Sequence, residues 1–507
     1  MPPSMPGERL RSIAIVGGGT AGWLAAATLA RRLPPQLCAL RLIDSGRGRA
    51  FAFSEVALPA FHRLNALLGI DESDLMRRTL GTFRLGVQFA DWGASGERYF
   101  HTFGSIGAKL DAVPFHHYWL KLRQLGGESG FEDYSLATLA ATQGRFAPPA
   151  AQRGSFLSSY SYGYHFHAGL LVAYLKQYAR EHGVVSSERH VVRAQLRAED
   201  GFIDALQLDD GSQIRADLYI DCTGSQTLLP EGGFEDWSHW LPCDRSVAAL
   251  CESEPQMLPY SLVRAGRSGW SWRTPLQQCT DNGHMYSSRC LSDDEATATL
   301  LADLPGRRLS EPHLTHWSPG RPEKFWDRNC ITLAGCGLEP LEGTALHLAQ
   351  TGIARLLTLF PVCRHSPRDI EEYNRLTALE WERIRDFLIL HYKATARCDS
   401  PFWDACRQMQ VPAALQTRID LFRRCGRLGL QEDEHFGEES WLSLLLGQGL
   451  YPQDYDPLAD VLDVEQVEEA LARMRSMIRD GVGTLPLLAR FIERYCAAAA
   501  VDVGALP

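Results

Sequence analysis

A glycine-rich segment near the start of the chain constrains the fold more than any other feature. The short buried-strand pattern Ser12–Val16 runs directly into the loop GGGTAG and then into a helical run from Leu24. Gly17 permits a tight turn, Gly19 lets backbone N–H groups approach a pyrophosphate, and Gly22 lets the helix pack closely on the strand. The helix N-terminus adds positive potential for phosphates. This order of strand, loop and helix predicts a dinucleotide-binding unit.

Two acidic residues at strand ends refine that prediction. A second strand pattern, Leu40–Ile43, ends in Asp44, whose carboxylate can accept hydrogen bonds from ribose hydroxyls and disfavours a 2′-phosphate. Far downstream, a strand pattern ends in Asp221-Cys-Thr-Gly224. That ending is typical of flavoprotein monooxygenase folds, in which the strand returns to the cofactor. The two segments together favour FAD over NAD.

Composition excludes several classes of protein. The 507 residues carry a net charge of −10 and no basic block, so nucleic acid is not an expected partner. The thirteen cysteines include no C-x-x-C pair and no Cys/His ladder at zinc spacing, which predicts reduced thiols and no metal site. No stretch approaches the roughly 18 uncharged residues of a membrane span, so we expect a cytoplasmic protein without a membrane partner.

Alternating strand and helix patterns predict an α/β fold with a Rossmann-like FAD-binding domain of the flavoprotein monooxygenase type. Because insertions interrupt the pattern, we expect a discontinuous domain within residues 10–360. Its FAD-binding segments are 10–110, 155–235 and 325–360, and its substrate-side insertions are 111–154 and the sheet-rich 236–324. Residues 361–507 are predicted to form a mostly helical cap on the substrate side, with helical spacing at Ile370–His391, Pro412–Arg427, Val464–Arg479 and Pro486–Ala500.

Further motifs extend along most of the chain. The segment Trp270–Pro275 is similar to a W-x-W-x-I-P signature, and other blocks lie at Glu339–Glu342, Leu390–Tyr392 and Asp399–Trp403. With the opening GGGTAGW, they make the chain resemble the flavin-dependent tryptophan halogenase family over nearly its whole length. The resemblance implies an enzyme of secondary metabolism to which a separate NAD(P)H-dependent flavin reductase supplies reduced FAD. Oxygen, FAD and chloride or bromide then give hypohalous acid, which reaches an aromatic substrate through a tunnel.

The resemblance implies two catalytic positions, and one of them has changed. The family's glutamate corresponds to Glu342, but the position of its tunnel lysine is occupied by Arg84. A buried lysine can lose its proton and become a haloamine, whereas a guanidinium with a pKa above about 12 has no comparable lone pair at neutral pH. We therefore expect Arg84 to hold and polarise an oxidant but not to form a haloamine. An acid just before a helix can also serve as a cap, which is the structural alternative for Glu342.

The resemblance implies further contacts with the cofactor and the halide. The cofactor-binding residues would be Gly17, Gly19, Thr20, Ala21, Gly22, Asp44, Glu55, Asp221 and Gly224. Glu55 lies in a redox-sensitive loop of the family, of which only Glu55 and Pro59 are retained here, with Leu58 a conservative change. The halide segment after the catalytic glutamate includes Thr344 and Ala345, whose backbone can still bind an anion after side-chain changes. Thr274 replaces the isoleucine of the tryptophan signature.

Aromatic residues are the candidates for substrate contact. His101 and Phe103 lie in an aromatic segment that can form a wall for a planar ring, and a buried, hydrogen-bonded histidine is the alternative. Trp270 and Trp272 lie on the same face if their segment is an extended strand. The resemblance implies that they separate the flavin from the substrate. Packing of both rings in the core is the alternative. Trp441 can stack on a ring.

Three hypotheses follow for the function. The first is an FAD-dependent enzyme that oxidises an aromatic, indole- or tryptophan-type substrate with inefficient halogenation, because Arg84 replaces the lysine. The second is a working halogenase in which Arg84 activates hypohalous acid. The third is a non-catalytic FAD-binding partner protein. The sequence leaves open whether the substrate is free, peptide-borne or carrier-bound, and whether the protein is a homodimer.

Overall fold

The computed structural model describes residues 9–46, 52–110, 113–150, 155–224, 227–229, 233–333, 337–361, 366–429 and 434–506. Within these ranges the chain forms 21 strands and 14 α-helices. The strands are, in chain order, β1 (Ser12–Val16), β2 (Ala39–Asp44), β3 (Ser54–Ala57), β4 (Thr82–Arg84), β5 (Gly86–Ala90), β6 (Arg98–Thr102), β7 (Gly163–His167), β8 (Val185–Glu188), β9 (Val191–Leu196), β10 (Ile203–Leu208), β11 (Gln213–Ile214), β12 (Leu218–Asp221), β13 (Phe234–Asp236), β14 (Arg245–Glu252), β15 (Tyr260–Ala265), β16 (Gly269–Pro275), β17 (Cys279–Tyr286), β18 (His313–His316), β19 (Gly320–Pro322), β20 (Trp326–Asp327) and β21 (Cys330–Thr332). The helices are α1 (Thr20–Arg32), α2 (Phe61–Leu68), α3 (Glu72–Arg78), α4 (Phe115–Gln124), α5 (Leu136–Thr142), α6 (Ala168–Glu181), α7 (Asp293–Ala302), α8 (Thr344–Thr358), α9 (Pro367–Lys393), α10 (Pro401–Gln408), α11 (Ala413–Cys425), α12 (Glu438–Gly447), α13 (Val464–Thr484) and α14 (Leu488–Tyr495).

A six-stranded sheet carries the glycine loop. Its strand order is β20-β21-β12-β1-β2-β8, and all neighbours run parallel except β20. Strand β1 is buried over Ile13–Val16, as expected for a parallel sheet covered on both faces. The predicted strand Ser12–Val16 is confirmed with the same bounds, and so is the Rossmann-like α/β class. Helix α1 begins at Thr20, four residues before the predicted run, because the loop already ends at its N-cap, Gly19.

A seven-stranded sheet forms the second layer. Its order is β18-β14-β17-β16-β15-β5-β6, and only β15 and β5 pair in parallel. The predicted sheet-rich segment 236–324 supplies five of these strands, and the chain before residue 110 supplies β5 and β6. A three-stranded sheet, β3-β7-β4, contains Arg84 at the end of β4. The remaining strands form two small sheets, β11-β10-β9 and β13-β19.

The C-terminal part is helical, as the apolar spacing predicts. Helix α9 buries one stripe that includes Ile384, Phe387, Leu388 and His391, which are three or four residues apart. The predicted helix Pro486–Ala500 is wrong at its C-terminal end, because α14 ends at Tyr495.

Two glutamine side chains account for that early end. Gln277 accepts a hydrogen bond from the N–H of Ala498 and donates to the carbonyl of Cys496. Gln278 pairs in the same way with the N–H of Val501 and the carbonyl of Ala499. These bonds satisfy the backbone of the final segment without a helix.

The domain boundaries proposed from the sequence stay predictions. Among the described helices, none is both long and apolar enough to cross a bilayer.

The packing of Trp272 on Gly283 gives a test of this sheet. A Cβ atom at Gly283 would lie 1.9 Å from Cζ2 of the Trp272 ring, which is directly across on the neighbouring strand. We expect Gly283→Ala to lower the free energy of unfolding by about 1–3 kcal/mol through overpacking. Urea denaturation measures this change. Gly483→Ala is the matched control, because no atom lies within 4 Å of the added methyl group. Equal stability of both variants would contradict the packing described here.

Candidate active site

A cleft of about 1740 Å³ opens beside the glycine loop. Gly17 has φ +117°, and a Cβ atom there would lie 2.4 Å from the carbonyl oxygen of Cys222, so only glycine allows β1 and β12 to approach this closely. A Cβ atom at Gly22 would lie 1.9 Å from the carbonyl oxygen of Gly17. Gly19 has no atom within 4 Å of the equivalent position, so a side chain at this point of the cleft lining would enter open space.

Most of the predicted cofactor residues line this cleft. They are Gly17, Gly19, Thr20, Ala21, Asp44, Glu55 and Gly224. Gly22 and Asp221 do not line it and support the loops behind it. Asp221 is buried and accepts hydrogen bonds from the N–H groups of Thr223 and Leu228, which fixes the turn that presents Gly224. Burial raises the pKa of Asp221.

The carboxylates on the cleft are held in different ways. Asp44 ends β2 and accepts a hydrogen bond from the N–H of Gly46 at 2.9 Å. The loop passes so close to it that a Cβ atom on Gly18 would lie 1.9 Å from its Cγ. Glu55 accepts a hydrogen bond from the Thr20 hydroxyl at 2.6 Å, and burial raises its pKa. A dinucleotide with a free ribose diol fits this arrangement, because the glycine loop leaves room for phosphates and Asp44 lies at the end of the second strand.

Arg84 contributes a buried cation to the deep end of the cleft. Only 1% of its surface is exposed, and its Nε and Nη1 atoms have no hydrogen-bond partner among the described residues. The guanidinium lies 5.1 Å from the centre of the Phe103 ring. Burial lowers the pKa of Arg84 to about 10, although the charge of Glu342 opposes this change. The group is therefore charged at neutral pH and has unused donors.

His165 lies close to Arg84 and is neutral. Its Nδ1 is 2.9 Å from the Thr82 hydroxyl, which donates to the carbonyl of Pro275, and its Nε2 is 2.9 Å from the Ser261 hydroxyl. Thr82 therefore accepts from Nδ1, and Nε2 accepts from Ser261. Burial and then the positive charge of Arg84 hold the pKa of His165 well below its usual range. This leaves Arg84 as the cation at this position.

Glu342 lies behind the part of the cleft lining that Pro340, Leu341 and Gly343 form, which is called the wall. The turn Pro340–Glu342 precedes α8, and Pro340, Leu341 and Gly343 line the cleft. The Glu342 carboxylate is fully buried and points away from that lining. His101 Nδ1 lies 2.9 and 3.0 Å from its two oxygens, and His391 Nε2 lies 2.9 Å from Oε1.

These contacts determine the hydrogen bonding and the ionisation of the Glu342 carboxyl. Glu342 lies one residue before Gly343, the N-cap of α8, and its carboxylate oxygens contact the rings of His101 and His391, so its hydrogen bonds are those of a buried ion pair and not those of a helix cap. Burial alone would raise the pKa of the carboxyl, but the potential and hydrogen bonds of His101 and His391 hold it well below its usual range. A carboxylate without solvent contact can therefore stay ionised and accept a proton. His101 is buried and hydrogen-bonded at both nitrogens, since its Nε2 lies 2.9 Å from the Ser440 hydroxyl.

An aromatic cluster surrounds His101 and Glu342. Its members are Phe103, Phe387, Phe436 and Trp441, together with His435. The rings of Phe387 and Phe436 are stacked with centroids 3.8 Å apart. Trp441 is buried, donates its indole N–H to the carbonyl of Phe436, and lies under the Arg418 guanidinium at 4.1 Å. Of the predicted substrate residues, His101, Phe103 and Trp441 belong to this cluster.

The other two predicted substrate residues lie on the cleft. Trp270 and Trp272 share one face of β16, and their ring centroids are 5.8 Å apart. Trp270 donates its indole N–H to the Tyr392 hydroxyl at 3.0 Å and to Glu339 Oε2 at 3.2 Å. Trp272 donates to Asp281 Oδ2 at 3.2 Å. Both rings are therefore fixed in position on the cleft side.

The remaining predicted positions also divide into residues that line the cleft and residues that do not. Ala345, at the start of α8, lines the cleft, and so does Thr274. Thr344 does not line it, and its hydroxyl has no hydrogen-bond partner among the described residues. No group of three or more potential metal ligands is found in the described part of the chain.

His391 is the functional residue that the sequence did not single out. It appeared only as part of the block Leu390–Tyr392. The available signal was its position on α9, four residues after Phe387 on the apolar stripe, because a histidine on a buried face needs a polar partner.

Comparison with known proteins identifies the family. The family model described as tryptophan halogenase matches residues 12–464. The flavin-dependent halogenase Xcc4156 from Xanthomonas campestris is 39% identical, with a TM-score of 0.93 over 97% of this chain and 100% of that chain. The flavin-dependent halogenase BrvH from Brevundimonas sp. BAL3 is 39% identical, with a TM-score of 0.91 over 96% and 99%. Tryptophan 7-halogenase KtzQ from Kutzneria sp. (strain 744) is 27% identical over 97% of this chain and 99% of its own length. This chain therefore belongs to the tryptophan halogenase family of FAD-dependent enzymes.

Proposed function

We propose that this protein is a flavin-dependent halogenase that attaches bromine or chlorine to an electron-rich aromatic substrate of the indole type. The observation that carries the proposal is the pair of buried charges across one wall. Arg84 offers unpartnered donors to the cleft, and Glu342 is an ionised carboxylate within the aromatic cluster. Aromatic halogenation needs a group that activates the electrophilic halogen, which Arg84 can supply on the cleft side. It also needs a base that removes a proton from the substrate ring, which Glu342 can supply on the other side.

The cleft would hold FAD in the predicted segments 10–110, 155–235 and 325–360. The glycine loop would take the pyrophosphate, and Asp44 would accept hydrogen bonds from the ribose. When bound in its reduced form, FAD supplies the oxygen activation that converts halide into hypohalous acid. A separate NAD(P)H-dependent flavin reductase would provide the reduced cofactor, which agrees with a cytoplasmic location. Halide would approach the first turn of α8 at Ala345, which lines the cleft.

Arg84 would act by hydrogen bonding. Although burial lowers its pKa to about 10, the guanidinium stays protonated at pH 7 and has no free lone pair, so a covalent haloamine is not a practical route. Its unpartnered N–H groups can donate to the oxygen of hypohalous acid, which makes that oxygen a better leaving group. An anionic or strongly polar ligand also relieves the cost of burying this cation without a partner.

Glu342 would complete the substitution. The ring carbon forms a bond to the halogen as the oxygen–halogen bond breaks, and the oxygen leaves as hydroxide, ending as water. The proton on the same ring carbon passes to a Glu342 oxygen, which restores the aromatic ring. The negative charge of Glu342 also stabilises the cationic ring before that proton leaves.

Direct oxygenation of the substrate is the second candidate function, because Arg84 and Thr274 depart from the family pattern. The hydrogen bonds of Trp270 and Trp272 argue against it, since they fix both rings on the cleft side of the wall. A non-catalytic role is not proposed, because the family consists of enzymes.

The deciding experiment is turnover of a panel of free indole, tryptophan and a tryptophan-containing peptide. Each is incubated with the protein, FAD, a flavin reductase and NADH, with and without bromide, and the products are analysed by mass spectrometry. We expect the bromine isotope pattern in at least one product. Oxygen addition that does not depend on bromide would favour the second candidate instead. The panel also separates free from peptide-borne substrates.

Replacing Arg84 tests its role directly. We expect Arg84→Lys to raise bromination by about tenfold, because a buried lysine loses its proton more readily than arginine and can form a haloamine. Arg84→Met should lower bromination at least about a hundredfold, because it removes the donors. Both variants are compared at equal FAD occupancy. Unchanged bromination in folded, flavin-loaded Arg84→Lys would refute this prediction.

Asp44 tests the cofactor site. We expect Asp44→Ala to weaken FAD binding by about tenfold to a hundredfold, because a hydrogen bond to a charged group contributes roughly 1.5–3 kcal/mol. Quenching of flavin fluorescence in an equilibrium titration measures the affinity. Asp480→Ala, an exposed position on α13, serves as the control. Equal affinity of the two variants would place the ribose elsewhere.

A further inference from the structure

We infer that His391 is a positioning residue whose ring carries two protons and thereby keeps Glu342 ionised. This inference rests on the proposed function, in which Glu342 must accept a proton from the substrate. It assigns a separate task to a residue that touches neither the cleft nor the halide segment. His391 lies on α9, is fully buried, and contacts the same Glu342 oxygen, Oε1, as His101 does.

The hydrogen-bond partners of His391 set its protonation. Its Nδ1 lies 3.0 Å from the backbone carbonyl of Phe387, which can only accept, so Nδ1 carries a proton. Its Nε2 lies 2.9 Å from Glu342 Oε1. An ionised carboxylate also only accepts, so this contact requires a second proton between the two atoms. The pair therefore holds one more proton than a neutral ring and a carboxylate together.

His101 does not require an extra proton. Its Nδ1 can donate to Glu342 while its Nε2 accepts from the Ser440 hydroxyl, so the neutral ring satisfies every contact. The two histidines are therefore not equivalent. Only His391 must be cationic if Glu342 is an anion, and that cation balances the buried negative charge.

Three other titratable groups near Glu342 do not supply a positive charge in direct contact with its carboxylate. Burial lowers the pKa of His435 to about 3, so this ring is neutral at physiological pH. Burial holds the pKa of the Tyr99 hydroxyl well above its usual range, so it is also neutral. Arg84 is charged but lies on the cleft and interacts with Glu342 only through space. Both histidines contact Glu342 directly, and the ring of His391 is the one whose hydrogen bonds require a positive charge while Glu342 is ionised.

The ring itself is held rigidly. Phe89 and Trp92 pack beside it with centroids 4.9 and 5.9 Å away. Gln448 donates a hydrogen bond to the carbonyl of His391, which anchors the end of α9. Because neither the ring nor the carboxylate contacts solvent, the ion pair persists only while both partners are present. Removing the cation leaves desolvation to raise the pKa of Glu342, so its base form would appear only at higher pH.

His391→Asn tests this directly, because the amide keeps a donor but removes the charge. Bromination is measured from pH 5.5 to pH 9 (about the practical range) with the reductase in excess. We expect wild-type protein to show no loss on the acidic side that is due to Glu342. In His391→Asn, activity should rise about tenfold per pH unit below the raised pKa of Glu342 and then level off. His116→Asn, which removes another buried histidine whose ring is hydrogen-bonded to the carbonyl of Gly426 and not to Glu342, is the matched control.

An acidic limb that is unchanged in His391→Asn, with only a lower plateau, would mean that His391 serves packing alone and would overturn the inference. The second measurement does not depend on halogenation. Nitrogen-15 spectra of histidine-labelled, flavin-free protein should show, at pH 7, a ring with both nitrogens protonated that the comparison with His391→Asn assigns to His391. That signal should disappear in His391→Asn and change to a neutral ring in Glu342→Gln.

A neutral His391 in wild-type protein would overturn the inference whatever the activity. If no substrate is halogenated but the doubly protonated ring is observed, the proposed function fails while the protonation of His391 stands. The ring spectra also decide the case if His391→Asn does not fold, because wild-type protein and Glu342→Gln suffice.

Discussion

A fully buried carboxylate shared by two histidines ties the layers of this protein together. Glu342 comes from the turn before α8, His101 from the seven-stranded sheet, and His391 from the long helix α9. An unpaired charge at this depth would cost several kcal/mol. The three elements must therefore meet at this point, and their meeting fixes the wall between the cleft and the aromatic cluster.

The wall separates two environments with different chemistry. On one side, glycine turns, Asp44 and the Arg84 guanidinium give a polar cleft suited to a dinucleotide and an anion. On the other, the stacked rings of Phe387 and Phe436 and the buried Trp441 give Glu342 an apolar environment without solvent contact. Trp270 and Trp272 stand on the polar side, each held by its indole N–H.

Local rules account for much of what could be predicted. The parallel sheet and its glycine loop follow from short-range sterics, since Gly17 and Gly22 leave no room for a side chain. Helices α9, α11 and α13 agree with the spacing of apolar residues to within a few positions. The early end of α14 could not be predicted, because Gln277 and Gln278 lie more than 200 residues away in the chain.

The sequence by itself determined the family, the class of fold, and the identities of Arg84 and Glu342 as the residues to examine, because these depend on motifs that are contiguous in the chain. Only the tertiary structure decided what those residues can do. It placed Trp270 and Trp272 on the cleft and Trp441 in the aromatic cluster, and it brought His391 to Glu342 across 49 residues. The ionisation of a buried group depends on partners from distant segments and on the exclusion of water, and neither is encoded in local spacing.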